Sequence, residues 1–142
     1  MTGKLCDGAQ EALAERGAGD DAVDVFYVSG AFELPLACLA AAKTGRFDAV
    51  IALGVVIRGD TPHFDYVAGE AARGIMHAGL ETGIPIMFGV ITADNEQQAL
   101  DRCGEKADNK GYEAAMSAIE MAEQMRRIRT SDRGDKALPH VV

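Results

Sequence analysis

The stretch "RGDTPH", residues 58–63, ends an apolar run and opens a helical pattern, gathering residue types suited to anion binding and proton transfer. Thr61 reads as an N-cap and Pro62 as the first helical residue, so the free amides around Gly59, Asp60 and Thr61 point out of the helix start. Such a terminus attracts phosphate above other anions. His63 falls in that first turn, beside any bound anion, and imidazole side chains exchange protons near neutral pH. The same residues equally suit a plain helix cap carrying an incidental histidine.

Two other segments carry usable chemistry. In "SGAFE", residues 29–33, Gly30 allows close approach of backbone to a ligand, and Glu33 stands at a helix start. Its carboxylate either caps that helix or accepts the paired N–H donors of a heterocycle. Arg102 lies near the end of "NEQQALDRCG", followed by Lys106 and Lys110. These cations are either solvated helix-end charge or, through the guanidinium fork, a phosphate holder. Cys6, Cys38 and Cys103 are odd in number and widely spaced, with neither a CxxC pair nor a histidine cluster, which predicts buried or idle thiols and no metal site. Met116, Met121 and Met125 suit packing in the core or at a subunit interface.

The elements that must position these groups alternate. Leu5, Ala9, Ala12 and Leu13 share a helical face over residues 3–17, which ends at Gly17. "DVFYV" (24–28) reads as a strand, "ELPLACLAAAKTG" (33–45) as a helix, and "DAVIALGVVI" (48–57) as a strand covered on both faces. A helix over 64–83, a buried strand over 84–92, a short helix capped by Asn95 and a helix over 112–129 follow. The last presents Ala115, Ile119, Ala122 and Met125 on one face. This order predicts an α/β domain with a parallel sheet and right-handed crossovers, its ligands lying beyond the carboxyl ends of the strands. Only three strands are evident, and a helix precedes them all. An N-terminal strand is therefore expected to be absent or supplied by a neighbouring chain.

The chain has 142 residues, 48% hydrophobic and 25% charged, which suits one folded domain over 1–129 with a C-terminal extension over 130–142. A net charge of −8 without a basic stripe disfavours nucleic acid. The longest apolar run is far short of the roughly 20 residues that span a bilayer. The N-terminus "MTGKLCDGAQ" has no signal-peptide core, so the expectation is a cytoplasmic protein without membrane contact.

Taken together, "SGAFELP", "ALGVVIRGDTPHFDYVA", "PIMFGVIT" and "EQQALDRCGEKADNKGYEAAMSAIEMA" resemble the lumazine synthase family over about residues 5 to 125. The resemblance implies a flavodoxin-like three-layer α/β/α sandwich. It also implies condensation of 5-amino-6-(D-ribitylamino)uracil with (2S)-2-hydroxy-3-oxobutyl phosphate to 6,7-dimethyl-8-ribityllumazine, without a cofactor. His63 then resembles the family's proton donor and acceptor, and Gly59, Asp60 and Thr61 its phosphate-holding segment. Ala31, Phe32, Glu33, Val55, Val56, Ile57 and Phe88 resemble its pyrimidine- and ribityl-binding positions. Arg102 is similar to its phosphate-binding arginine, and Lys110 to a supporting lysine. Family members form pentamers, some assembling into larger shells, with each site built between neighbours, so Phe88 and Arg102 are expected to face the His63 of an adjacent chain. The family's first strand and its loop aromatic have no counterpart from Met1 onward, so that strand is expected to be absent from this chain. The alternative expectation is a noncatalytic scaffold or ligand-binding protein of the same shape. A flavodoxin-like signalling domain is disfavoured, because no acidic cluster follows a first strand.

Overall fold

The computed structural model describes residues 1–131. Helix α1 (Thr2–Glu15) is followed by α2 (Leu34–Lys43), β1 (Val50–Ile57), α3 (His63–Thr82), β2 (Ile86–Ala93), α4 (Glu96–Asp101) and α5 (Lys110–Thr130). Strands β1 and β2 pair in parallel, Val50 opposite Ile86 through Ile57 opposite Ala93. Helices α1 and α5 cover one face of this sheet, and α2 and α3 cover the other, giving three layers. The C-terminal extension expected from residue 130 lies, beyond Ser131, outside the described residues.

Side-chain alternation along β1 feeds both layers. Ile51, Leu53 and Val55 turn toward α1 and α5, where Leu5, Ala9, Ala12 and Ala115 are buried. Val50, Ala52 and Val56 turn the other way, onto Leu34, Cys38 and Ile75. Leu5 is fully buried among Ile91, Ala93, Ala99 and Cys103, so truncating it to alanine would cost about 2–5 kcal/mol. Helices approach closely where glycine removes the side chain. A Cβ on Gly111 would overlap the carbonyl oxygen of Leu5, and one on Gly74 would lie 2.6 Å from the Pro35 ring. Glycine also stops the helices where the sequence expects it, with Gly17, Gly45 and Gly83 at positive φ.

One expected strand does not form. Residues 24–28 carry no ladder, and the sheet among the described residues has two strands, not three. Val25, Phe26, Tyr27 and Val28 are all exposed, Tyr27 at 88%. Strand propensity needs a partner's backbone, and in the flavodoxin-like order 2-1-3-4-5 the neighbour of this segment is the first strand. Among the described residues β1 is paired on one side alone. The amides of Val50 and Arg58 donate to Pro85 and Ala93, so the even positions bond toward β2. By the two-residue period, the amides of Ile51, Leu53, Val55 and Ile57 face the open edge.

Candidate functional site

At the carboxyl end of β1 the chain leaves the sheet as Arg58, bends at Asp60 and Thr61, and enters α3 at His63. Thr61 does not cap this helix. Pro62 occupies the cap position at φ −71° and ψ 4°, and its carbonyl takes the Asp65 amide at 3.0 Å. Proline's fixed φ suits that place, and the helix starts one residue later than Pro62 alone would suggest. Thr61 instead lines an open depression of about 290 Å³ with Ala31, Val55, Val56, Ile57, Gly59, His63, Phe64 and Val67. Among the described residues, the amides of Gly59, Asp60, Thr61, His63 and Phe64 donate to no backbone carbonyl. The depression therefore has an apolar floor from β1, unspent donors at its rim and an exposed imidazole at its edge.

Three of the expected residues adjoin this depression without lining it. Phe32 and Glu33 belong to a 3-10 turn, Ala31–Glu33, that enters α2, and both are exposed. Glu33 makes no capping hydrogen bond. Its carboxylate leans over Gly30, where a Cβ would come within 3.1 Å of Oε2. Asp60 is exposed in the bend.

The remaining three sit elsewhere. Phe88, Arg102 and Lys110 line a second concavity of about 680 Å³, on the outer edge of β2, with Val90, Ile91, Thr92, Asp101, Ala107, Asp108 and Glu113. It shares no lining residue with the first. Arg102 ends α4 and donates through Nη1 to the Gln98 carbonyl at 2.8 Å, which leaves the rest of its fork directed at solvent. The Lys110 amide bonds the Arg102 carbonyl at 2.9 Å, so the two cations are held at a fixed backbone spacing. The Lys110 ammonium pairs with Glu113 at 3.3 Å.

Asn109, which the sequence patterns do not single out, organises this second concavity. It is 3% exposed. Its Oδ1 accepts the Tyr112 amide at 3.0 Å and so caps α5, while Nδ2 donates to the carbonyls of Lys4 and Gly104 at 3.0 and 2.9 Å. Gly8 supplies the room, since a Cβ there would strike the Asn109 side chain. A cap at the residue before Lys110 is a readable signal; the contact with α1, 105 positions away, is not. A second brace joins the same helices. Tyr112 donates its hydroxyl to Glu15 at 2.5 Å, and Lys106 pairs with Glu15 at 3.0 Å. Lys106 takes a positive φ of 44°, uncommon for a residue other than glycine.

Cys6, Cys38 and Cys103 are free thiols, and burial pushes Cys38 up to about 11. Among the described residues no cluster of three histidine, cysteine or acidic side chains is placed to hold a metal ion. No helix among them is long and apolar enough to cross a membrane. Compared with known families, residues 1–126 match the family model described as 6,7-dimethyl-8-ribityllumazine synthase.

Proposed function

Because the chain belongs to the 6,7-dimethyl-8-ribityllumazine synthase family, a transferase family of riboflavin biosynthesis, we propose that it catalyses the family reaction itself. The substrates are 5-amino-6-(D-ribitylamino)uracil and (2S)-2-hydroxy-3-oxobutyl phosphate, and the products are 6,7-dimethyl-8-ribityllumazine, phosphate and water. The observation that carries this reading is the division of the candidate residues between two concavities with no residue in common. Each is half of a site. The first offers the apolar floor, the anion-seeking amides and His63; the second offers an aromatic ring and two cations. Closing the outer edge of one subunit's β2 against the β1 end of its neighbour would unite them.

In that composite site the uracil ring lies against Val55, Val56, Ile57 and the neighbour's Phe88. Glu33 takes paired N–H donors of the pyrimidine, and Ala31 and Phe32 border the ribityl chain. Gly59, Asp60 and Thr61 hold the phosphate from one side, while Arg102 and Lys110 neutralise it from the other. His63 moves protons during Schiff-base formation, phosphate elimination and ring closure. Holding two reactants in register supplies much of the acceleration, and the cations stabilise the departing phosphate. The reading needs no cofactor and places the reaction in the cytoplasm. Exposed Leu36, Tyr66, Met76 and Leu80 on α2 and α3 support a homo-oligomer, a pentamer or a larger shell, because such apolar area on a monomer marks contact surface.

Mixing the protein with both substrates and following lumazine absorbance together with released phosphate tests this directly. Turnover that falls about 10²–10⁴-fold in His63→Ala, with assembly intact, is expected. A correctly assembled wild-type protein that binds the uracil without turnover would instead establish the noncatalytic scaffold.

A further inference from the structure

Arg58 lies at the carboxyl ends of both strands, and no role in the reaction has been given to it above. Its amide bonds the Ala93 carbonyl at the end of β2. Its side chain reaches three ways. Nε donates to Asp94 Oδ1 at 3.0 Å, Nη1 approaches Asp65 Oδ1 at 3.4 Å, and Cζ stands 4.5 Å from the centre of the Phe64 ring. Asp94 leads into α4, whereas Phe64 and Asp65 belong to the first turn of α3 that carries His63. The guanidinium thus spans the loop it begins.

The network continues toward the second concavity. The Asp94 amide donates to Gln98 Oε1 at 2.8 Å, and the Gln98 carbonyl accepts the Arg102 guanidinium at 2.8 Å. The same α4 segment is pinned by Asn95, whose side chain accepts the Gln98 amide at 2.9 Å. Hydrogen bonding to Asp94, and then the charges of Asp65 and Asp94, keep Arg58 firmly protonated.

We propose that Arg58 is a positioning residue: by bridging Asp94 at the end of β2 to Phe64 and Asp65 in the first turn of α3, it fixes the Gly59–His63 loop in the geometry the reaction requires. Global stability is not its main contribution, because exposed ion pairs contribute little to folding. Arg58 and its two carboxylates are all substantially exposed, at 45%, 60% and 67% of side-chain area. Geometry is a different matter, since displacing a reacting group by about 1 Å can cost on the order of 100-fold in rate. Direct phosphate binding by Arg58 is the competing role, and its side chain is already committed to two carboxylates and a ring.

This inference rests on the proposed condensation, and the experiment separates the two. In Arg58→Met, kcat is expected to fall about 10–100-fold, with KM for the ribitylaminouracil unchanged. Hydrogen exchange at the Asp65 amide, which is bonded to the Pro62 carbonyl in the first turn of α3, is expected to quicken when read without substrate. Asp94→Asn should reproduce both effects, and the double variant should be no worse than the poorer single one, because one clamp can be broken only once. Arg58→Lys, which keeps the charge but not the fork, should recover only part of kcat. Full activity in Asp94→Asn beside a crippled Arg58→Met would overturn positioning in favour of direct substrate contact, and so would an additive double variant. If the wild-type protein performs no condensation, the functional reading fails alone. The exchange measurement then decides, and unchanged exchange at the Asp65 amide in Arg58→Met overturns the clamp.

Discussion

Replacing Asn109 by alanine removes three hydrogen bonds from one buried side chain, and their partners set the cost. The cap on the Tyr112 amide is worth about 1 kcal/mol, as for other N-caps. The Gly104 carbonyl accepts no other backbone hydrogen bond, but Gly104 is exposed and water can replace the Nδ2 donor, so this loss costs about 0.5–1.5 kcal/mol. The Lys4 carbonyl keeps its helical partner one turn on and adds little. Asn109→Ala should therefore destabilise the fold by about 1.5–2.5 kcal/mol. In urea unfolding at fixed protein concentration, with a slope of about 1–3 kcal/mol per molar, that lowers the midpoint by on the order of 1 M. Asn109→Asp keeps the cap acceptor but sets a carboxylate against two carbonyls, so it should be at least as damaged. A midpoint within about 0.2 M of wild type for either variant would refute the role given to the buried donor.

Three further outcomes follow from the same geometry. Arg102→Ala should raise KM for the hydroxy-oxobutyl phosphate about 10–100-fold while barely changing KM for the uracil, the cost of one charge-assisted contact; equal effects on both would move Arg102 away from the phosphate. Native-state hydrogen exchange should be fast at Ile51, Leu53, Val55 and Ile57 and slow at Ala52, Gly54 and Val56, and uniform protection along β1 would show that its open edge is covered. The Tyr112 hydroxyl, then Lys106, hold Glu15 below the ordinary carboxylate value of 4.5. Its contribution is therefore present above 4.5 and lost as pH falls through the lowered value, so Glu15→Gln should flatten the acid limb of the stability curve; an unaltered limb would contradict the brace.

The helices and both observed strands were legible because each depends on local pattern. Leu5, Ala9 and Ala12 are buried as their spacing expects, Asn95 caps α4, and Gly83 ends α3 in the left-handed conformation. The "DVFYV" segment was misread for a physical reason. Its residues favour a strand, but a strand is a pairing, and among the described residues no strand lies beside it. Thr61 was misread because sequence cannot tell a proline at the cap from a proline one residue inside it. The residue types of the candidate site were visible, whereas its division between two concavities depends on the sheet order and so emerged only with the fold. Asn109 and Arg58 escaped notice for the same reason, since their partners are distant in sequence.

The central claim is that a working site is made from two chains, and subunit mixing tests it most directly. His63→Ala and Arg102→Ala proteins, each nearly inactive alone when the hydroxy-oxobutyl phosphate is held below its wild-type KM, would be dissociated, combined in equal amounts, reassembled and assayed at that concentration. If the two concavities meet across an interface, random assembly leaves about one interface in four with both halves intact, and lumazine formation should return to about a quarter of the wild-type rate. A mixture no more active than its two components would contradict the account.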